Sequence, residues 1–190
     1  MRIMATLLLF LLAHGPVTAA DGLVDKINRL SKSINITVNL KQDQLIKPTK
    51  EGNNWTKVQY NSISQVETGE NAMELFNKEG QNRFKPDTAG IYLITAATAG
   101  SGFMTAGRIA IFKNGSIVRA TYNGGINVPY RHNRTGLYIT TFVYLDGKED
   151  YVEIKVQNIS RPGQSNVDKV AKLSKKKVDS YFQAMYLGEK

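Results

Sequence analysis

The clearest group of side chains able to bind a ligand in this sequence is basic. Two arginines stand in a polar loop and five lysines follow within nine residues near the carboxyl terminus; they are Arg131, Arg134, Lys169, Lys172, Lys175, Lys176 and Lys177. The formal net charge is +9, and clustered cations attract anionic glycans and other cell-surface polyanions. These seven residues are therefore candidate ligand contacts. A solvated loop that only improves solubility is an equally good interpretation of the lysine run.

Catalytic chemistry is not indicated by the remaining polar residues. His132 has no serine, carboxylate or second histidine at an interpretable spacing. No zinc-protease, serine-hydrolase or phosphate-binding motif occurs in the sequence. Nor does a recognisable nucleic-acid-binding motif accompany the positive charge. The sequence predicts a non-catalytic protein that uses no cofactor and binds no nucleic acid.

Three carboxylates between two predicted strands raise the question of a metal. Asp146, Glu149 and Asp150 lie within five residues, and surface acids of this kind could contribute to calcium binding. The Asp146-Gly147 pair between two strands is more simply explained as a hairpin turn. We expect the turn, and no resident metal.

Five asparagines fit the Asn-X-Ser/Thr acceptor rule for N-linked glycans, namely Asn35, Asn54, Asn114, Asn133 and Asn158. They matter only if the protein is secreted through a pathway that attaches glycans. Asn35 lies within a predicted strand, whereas Asn54 and Asn133 lie in predicted loops, where an acceptor is accessible. The two loop residues are the best candidates.

The amino-terminal segment has the order of a secretory signal peptide, assigned to residues 1–20. Arg2 precedes an apolar run over residues 3–13, and small residues follow as far as Ala20. The run is shorter than the roughly 20 residues that cross a bilayer. We therefore expect cleavage near Ala19 or Ala20 and a secreted, extracellular protein that does not span a membrane. Because the chain has no cysteine, its stability must come from core burial and assembly.

Periodicity divides the rest of the chain into two parts. Over residues 21–33, Leu23, Ile27 and Leu30 recur at helical spacing. This pattern predicts a short helical neck or, because so short a helix is marginal alone, a linker. From residue 34 the apolar period changes to two, the period of a strand. We assign residues 34–190 to one domain.

Strands and turns account for nearly all of this domain. Residues 91–99 are apolar or small on both faces, as expected for a strand at the centre of a sheet. The Asn114-Gly115 pair lies between two strand patterns and predicts a tight hairpin, because both residues tolerate positive φ. The expected fold class is all-β, a sandwich of the jelly-roll kind, with residues 160–179 as an inserted loop before the last strand.

The spacing of Phe84, Gly90 and Tyr92 resembles the motif at the heart of the complement C1q globular-domain family, relatives of the tumour necrosis factor jelly roll. Similar strand and turn segments flank this motif in the family's order over residues 34–187. The family prefers Phe where this chain has Ile94, and no collagen repeat precedes the domain. The resemblance implies a C1q-like jelly roll, a homotrimer, and a recognition protein for carbohydrate, a microbial surface or another extracellular ligand.

Assembly is also favoured by apolar residues in excess of what one thin sandwich needs, chiefly Tyr138, Phe142, Tyr144, Phe182 and Tyr186. The resemblance implies packing of one sheet of each protomer around a three-fold axis. An alternative function is the structural tip or adhesin domain of an extracellular or viral fibre, because jelly rolls of this kind also cap such appendages.

Overall fold

A computed structural model of the chain describes residues 35–49, 54–66, 75–76, 81–101, 106–124, 134–159, 170–175 and 180–189. Two units divide the chain, Met1–Ser33 and Ile34–Lys190, and all described residues belong to the second. The predicted signal peptide and helical neck therefore lie outside the described residues.

Segments with alternating burial make this unit an all-β structure, as predicted. The strands are β1 (Asn35–Leu40), β2 (Gln44–Ile46), β3 (Pro48–Thr49), β4 (Thr56–Lys57), β5 (Tyr60–Val66), β6 (Gly90–Ser101), β7 (Ala106–Lys113), β8 (Ser116–Gly124), β9 (Arg134–Leu145), β10 (Val152–Ile159), β11 (Ala171–Leu173) and β12 (Tyr181–Gly188). They form two sheets, called sheet A and sheet B below.

Sheet A is built around β6, an interior strand with partners along both edges, as predicted for residues 91–99, although only one of its faces is buried in the protomer. Along one edge β6 pairs with β9 over its whole length, and along the other with β12 and then β11. The strands β1 and β5 continue the sheet beyond β12, and β2 continues it beyond β11. Sheet B has the order β8-β7-β10, with β4 and the parallel strand β3 paired to the far edge of β10.

The aromatic motif of the sequence lies at the centre of the core. Phe84 is bridged to Val152 by two backbone hydrogen bonds of 2.9 and 2.8 Å, and its ring centroid lies 5.4 Å from that of Tyr92 and 5.8 Å from that of Phe182. All three rings are fully buried. The Tyr92 hydroxyl donates to the backbone carbonyl of Thr88 at 2.7 Å, so its one polar atom has a partner inside the core.

The hairpin between β7 and β8 has the predicted geometry. Asn114 and Gly115 both have positive φ, 50° and 81°, the combination of a two-residue type I′ turn whose twist matches the flanking strands. The turn brings β7 and β8 into antiparallel register from Lys113↔Ser116 onwards.

Two parts of the sequence interpretation were wrong. Phe182 is fully buried, and Tyr186 is half-buried with its ring centroid 5.3 Å from that of Tyr92, so neither belongs to an exposed assembly face. Phe182 and Tyr186 are an even number of positions apart on β12, so both side chains point to the core side of the sheet. The segment assigned to an inserted loop contains β11, because the buried residues Ala171 and Leu173 alternate with the exposed Lys172.

Candidate functional site

The outer face of sheet A, turned away from the core, carries exposed apolar side chains. Because successive strand residues point to opposite faces, burial of Tyr92 in the core turns Leu93 outwards. The register places Leu93 between Phe142 of β9 and Met185 of β12. Phe142 is 65% exposed and Met185 is 42% exposed. We call this surface the apolar face; its members are Ile91, Leu93, Tyr138, Phe142, Tyr144, Met185 and Leu187.

A second apolar surface lies along β8. Within the described part of the chain, this strand pairs only with β7. Its neighbouring residues Ile117 and Val118 are both exposed, as is Tyr122, so both faces of the strand meet solvent. The Thr121 hydroxyl donates to the backbone carbonyl of Tyr138 at 3.0 Å. The β8 edge therefore lies beside the edge of β9 that β6 leaves unpaired.

The register of sheet A brings together two basic residues predicted from separate parts of the sequence. Arg134 pairs with Ser101, and Ser101 pairs on its other side with Lys172. Since neighbouring strands lie about 4.8 Å apart, the backbones of Arg134 and Lys172 are about 10 Å apart. Lys172 pairs in turn with Leu45 of β2. We call this last row of sheet A, Arg134–Ser101–Lys172–Leu45, the basic end.

An acidic residue organises the lysines of the basic end. The Lys172 ammonium lies 3.2 Å from the Asp43 carboxylate, which also accepts a 2.9 Å hydrogen bond from the backbone N–H of Lys175. The Lys175 N–H and then the Lys172 ammonium hold the pKa of Asp43 below its ordinary value. Asp43 thereby neutralises one cation and fixes the chain after β11. The exposed residues Lys47 and Lys175 add positive charge.

The other predicted ligand contacts cannot be assigned to this row. Arg131, Lys169, Lys176 and Lys177 lie outside the described residues, as does His132. The lysine run is interrupted by β11, whose buried residues anchor Lys172 to the sheet.

The three carboxylates considered for calcium are engaged by nitrogen donors instead. The Asp146 carboxylate accepts backbone N–H bonds of 2.9 to 3.0 Å from Lys148, Glu149 and Asp150. The Asp150 N–H, then that of Lys148, hold the pKa of Asp146 below its ordinary value of 3.8. Glu149 forms a 3.2 Å ion pair with Lys85. The expected turn is present, but it joins β9 of sheet A to β10 of sheet B and is therefore not a hairpin. No group of metal-binding side chains occurs among the described residues.

Asp150 joins this turn to the β7–β8 hairpin. Its carboxylate lies 2.7 Å from the Lys113 ammonium and accepts a 2.6 Å hydrogen bond from the Asn114 amide. Partial burial opposes ionisation, but Lys113 and then Asn114 hold the pKa of Asp150 below its ordinary value. The side-chain carbonyl of Asn114 accepts a 3.0 Å hydrogen bond from the backbone N–H of Tyr151. The Asp150 carboxylate and the Asn114 side-chain amide thus connect the β9–β10 turn to the β7–β8 hairpin.

These contacts also change the interpretation of the glycan acceptors. Asn158 is fully buried in β10, which corrects its assignment as an acceptor site. Asn114 uses both ends of its amide in the turn network, so a glycan there would be attached to the nitrogen that donates to Asp150. Asn54 is exposed and Asn35 is half-buried in β1, while Asn133 lies outside the described residues.

Sequence analysis missed a buried carboxylate on sheet B. Glu153 is 7% exposed and lies between the ammonium groups of Lys57 and Lys155, the latter at 3.1 Å. Burial opposes ionisation, but Lys57 and then Lys155 hold its pKa below the ordinary value of 4.5. The period-two spacing of Glu153 and Lys155 indicates a shared face. The contact with Lys57 depends on the pairing of β4 with β10, which no local pattern predicts.

Comparison with solved structures identifies the architecture. A crystal structure of murine APRIL is 12% identical, with a TM-score of 0.55, and the match covers 82% of this chain and 100% of the chain in that structure. The Eiger TNF structure from S. frugiperda is 5% identical, with a TM-score of 0.55, and the match covers 83% of this chain and 93% of the chain in that structure. The fold is a TNF-like jelly roll.

At these identities the likeness establishes the fold alone. Neither a protein-family model nor a curated protein matches the sequence. No helix in the described ranges is long and apolar enough to cross a membrane.

Proposed function

We propose that this chain is a secreted, non-catalytic recognition protein. In this proposal three copies of the jelly roll assemble through the apolar face of sheet A and bind an anionic extracellular ligand at the basic end. The predicted signal peptide supports secretion, and the resemblance to the C1q globular-domain family supports the three-fold assembly and a ligand such as a carbohydrate or a microbial surface. The observation that carries the proposal is the apolar face itself.

A large exposed apolar surface on a folded domain usually marks a protein contact. Phe142, Leu93 and Met185 form a continuous row across three strands, so the surface is not a set of scattered side chains. It also runs along β9 from Tyr138 to Tyr144, parallel to the strands. A symmetry axis along the strands would bury this stripe in every copy.

The β8 edge supplies a second, different contact surface. A ring of identical subunits needs two complementary surfaces on each copy, because each subunit meets its neighbour head to tail. The exposed side chains of β8 lie next to β9, at the border of the apolar face. In a ring, the β8 edge of one copy would pack against the apolar face of the next.

The basic end supports an anionic ligand. Lys172 is exposed although it pairs with Asp43, and the exposed residues Lys47 and Lys175 add further positive charge. Leu45, 65% exposed on the same row, offers an apolar contact beside these charges. This combination suits a sulfated or carboxylated polysaccharide better than a neutral one.

Two measurements on the mature chain, residues 21–190, test the proposal. Sedimentation velocity should give one species with the mass of three protomers, and a monomer at micromolar concentration would refute the assembly. A glycan array should give binding confined to sulfated or carboxylated glycans. Binding only to neutral glycans would refute the anionic ligand while leaving the assembly intact.

A further inference from the structure

A row of polar residues crosses the outer face of sheet A between two apolar rows. The register places Thr140 of β9 beside Thr95 of β6, Thr95 beside Gln183 of β12, and Gln183 beside Thr37 of β1. We call these four residues the polar band. Toward one end of the sheet its neighbour is the row of Phe142, Leu93 and Met185; toward the other it is the row of Tyr138, Ala97 and Tyr181.

The members of the polar band form hydrogen bonds with one another, but these bonds do not use all of their donors and acceptors. The hydroxyl groups of Thr95 and Thr140 are 3.0 Å apart, and the Gln183 amide donates to the Thr37 hydroxyl at 3.3 Å. Gln183 retains a second amide hydrogen and its carbonyl oxygen, and one hydrogen of the Thr95–Thr140 pair remains to be donated. In the single protomer, water can meet these groups, because Gln183 is exposed and the three threonines are half-buried.

Any partner that covers the apolar face must therefore also form hydrogen bonds with the polar band. A buried polar group without a partner is destabilising, whereas the same group is tolerated when its partner supplies matching donors and acceptors. A purely apolar partner would leave the polar band unsatisfied. A second copy of this chain carries the same donors and acceptors in the same order.

We propose that the polar band selects the register and the number of copies in the assembly, with a second copy of this chain as its partner. This inference rests on the proposed self-association. Around an axis along the strands, every copy presents its band at the same level, so the bands converge on the axis while the β8 edge of each neighbour covers the outer part of the face. A shift of one row would place Thr95 and Thr140 against Phe142 or Tyr138 and bury their hydroxyls without partners. Single polar residues fix the register of coiled coils in the same way, at a cost in stability.

The test removes the band while keeping the shape of the face. The triple variant Thr95→Val, Thr140→Val, Gln183→Leu replaces its reserve donors and acceptors by apolar groups. Thr56→Val, at a half-buried strand position of sheet B, is the matched control. Sedimentation velocity and native mass spectrometry count the species of each protein. Gln183→Leu alone, at an exposed position, replaces the triple variant if that protein does not fold.

Wild type and Thr56→Val should each give one stoichiometry, whereas the band variant should associate at lower concentration and populate at least two. When wild type and the band variant are mixed and exchanged, mixed oligomers should fall about tenfold below the random expectation, equivalent to about 1.4 kcal/mol. A band variant with the wild-type stoichiometry and random mixing would overturn the inference while leaving self-association intact. A wild-type protein that stays monomeric would overturn both.

Discussion

Tyr186 occupies the space that a side chain on Gly90 would need. A Cβ built on Gly90 would contact the Tyr186 ring and lie 2.5 Å from the backbone oxygen of Gly188. Gly90 has a φ of 156°, a conformation that other residues rarely adopt. Gly90 is therefore required because β12, which lies far from β6 in the sequence, closes over the start of β6.

Substitution of Gly90 should destabilise the domain. We expect Gly90→Val to cost about 3 kcal/mol from backbone strain and displacement of Tyr186, which corresponds to a fall in Tm of about 6–12 °C for a domain of this size. Gly136→Ala is the control, because a Cβ on this exposed glycine of β9 has open space around it. Equal melting temperatures for Gly90→Val and wild type would show that β12 does not close over β6 in this way.

The contribution of the buried Tyr92 ring to stability can be tested with two substitutions. Tyr92→Ala should cost about 3–5 kcal/mol, because it leaves a cavity between Phe84 and Tyr186. Tyr92→Phe keeps the ring and removes the hydroxyl that donates to Thr88, for which a loss of about 1 kcal/mol is expected. Chemical denaturation measures both changes. If Tyr92→Phe lost more unfolding free energy than Tyr92→Ala, the hydroxyl rather than ring packing would dominate stability at this site.

The turn carboxylates should make the domain sensitive to acid. Asp146 and Asp150 have folded-state pKa values below the ordinary 3.8, so the unfolded chain takes up protons first as the pH falls. Their contribution to stability is complete above the ordinary pKa and is lost as the pH falls through the lower folded-state values. Thermal melts between pH 7 and pH 2 should show a steep loss of stability below about pH 4.

Asp150→Asn should weaken this acid dependence, because it removes the ion pair with Lys113. The variant should also be less stable than wild type at pH 7, by about 1–3 kcal/mol for a lost hydrogen-bonded charge contact. Asp87→Asn, a change at an exposed aspartate before β6, should retain the wild-type pH dependence. If Asp150→Asn follows the wild-type curve at every pH, the turn network does not contribute to stability.

The basic end should bind polyanions electrostatically. Retention of the mature chain on heparin should fall steeply with added salt, since ions screen exposed charges. Changing Lys169, Lys172, Lys175, Lys176 and Lys177 to Gln should abolish retention while leaving Tm unchanged. Lys172→Gln alone should reduce it, whereas Lys148→Gln, at an exposed lysine in the turn at the opposite end of β9, should not. If Lys172→Gln and Lys148→Gln were retained equally on heparin, the result would contradict polyanion binding at the basic end.

Local patterns in the sequence were sufficient for much of the fold. Period-two alternation marks the strands, Asn114-Gly115 specifies its own turn, and the aromatic and glycine spacing indicates the centre of the core. Parity alone does not say which face is covered, which is why Phe182 was assigned to the surface although it lies in the core. The three-residue strand β11 is too short to give a periodic signal.

The candidate site was less predictable because it depends on long-range register. Arg134 and Lys172 are distant in the sequence and share a row only because both pair with Ser101. The polar band likewise draws one residue from each of four strands. Burial of Asn158 follows from its position on β10 within the sandwich, so an acceptor motif alone could not exclude it.

The central claim is that copies of this domain assemble through the apolar face, and the molar mass of Phe142→Asp compared with wild type tests it most directly. A charge at this position should not be tolerated in a buried contact. Leu45→Asp is the matched control, because Leu45 is also 65% exposed but lies outside the apolar rows.

Light scattering during size-exclusion chromatography should give three protomers for wild type and Leu45→Asp, and one folded protomer for Phe142→Asp. A single protomer for wild type, or three for Phe142→Asp, would contradict the account.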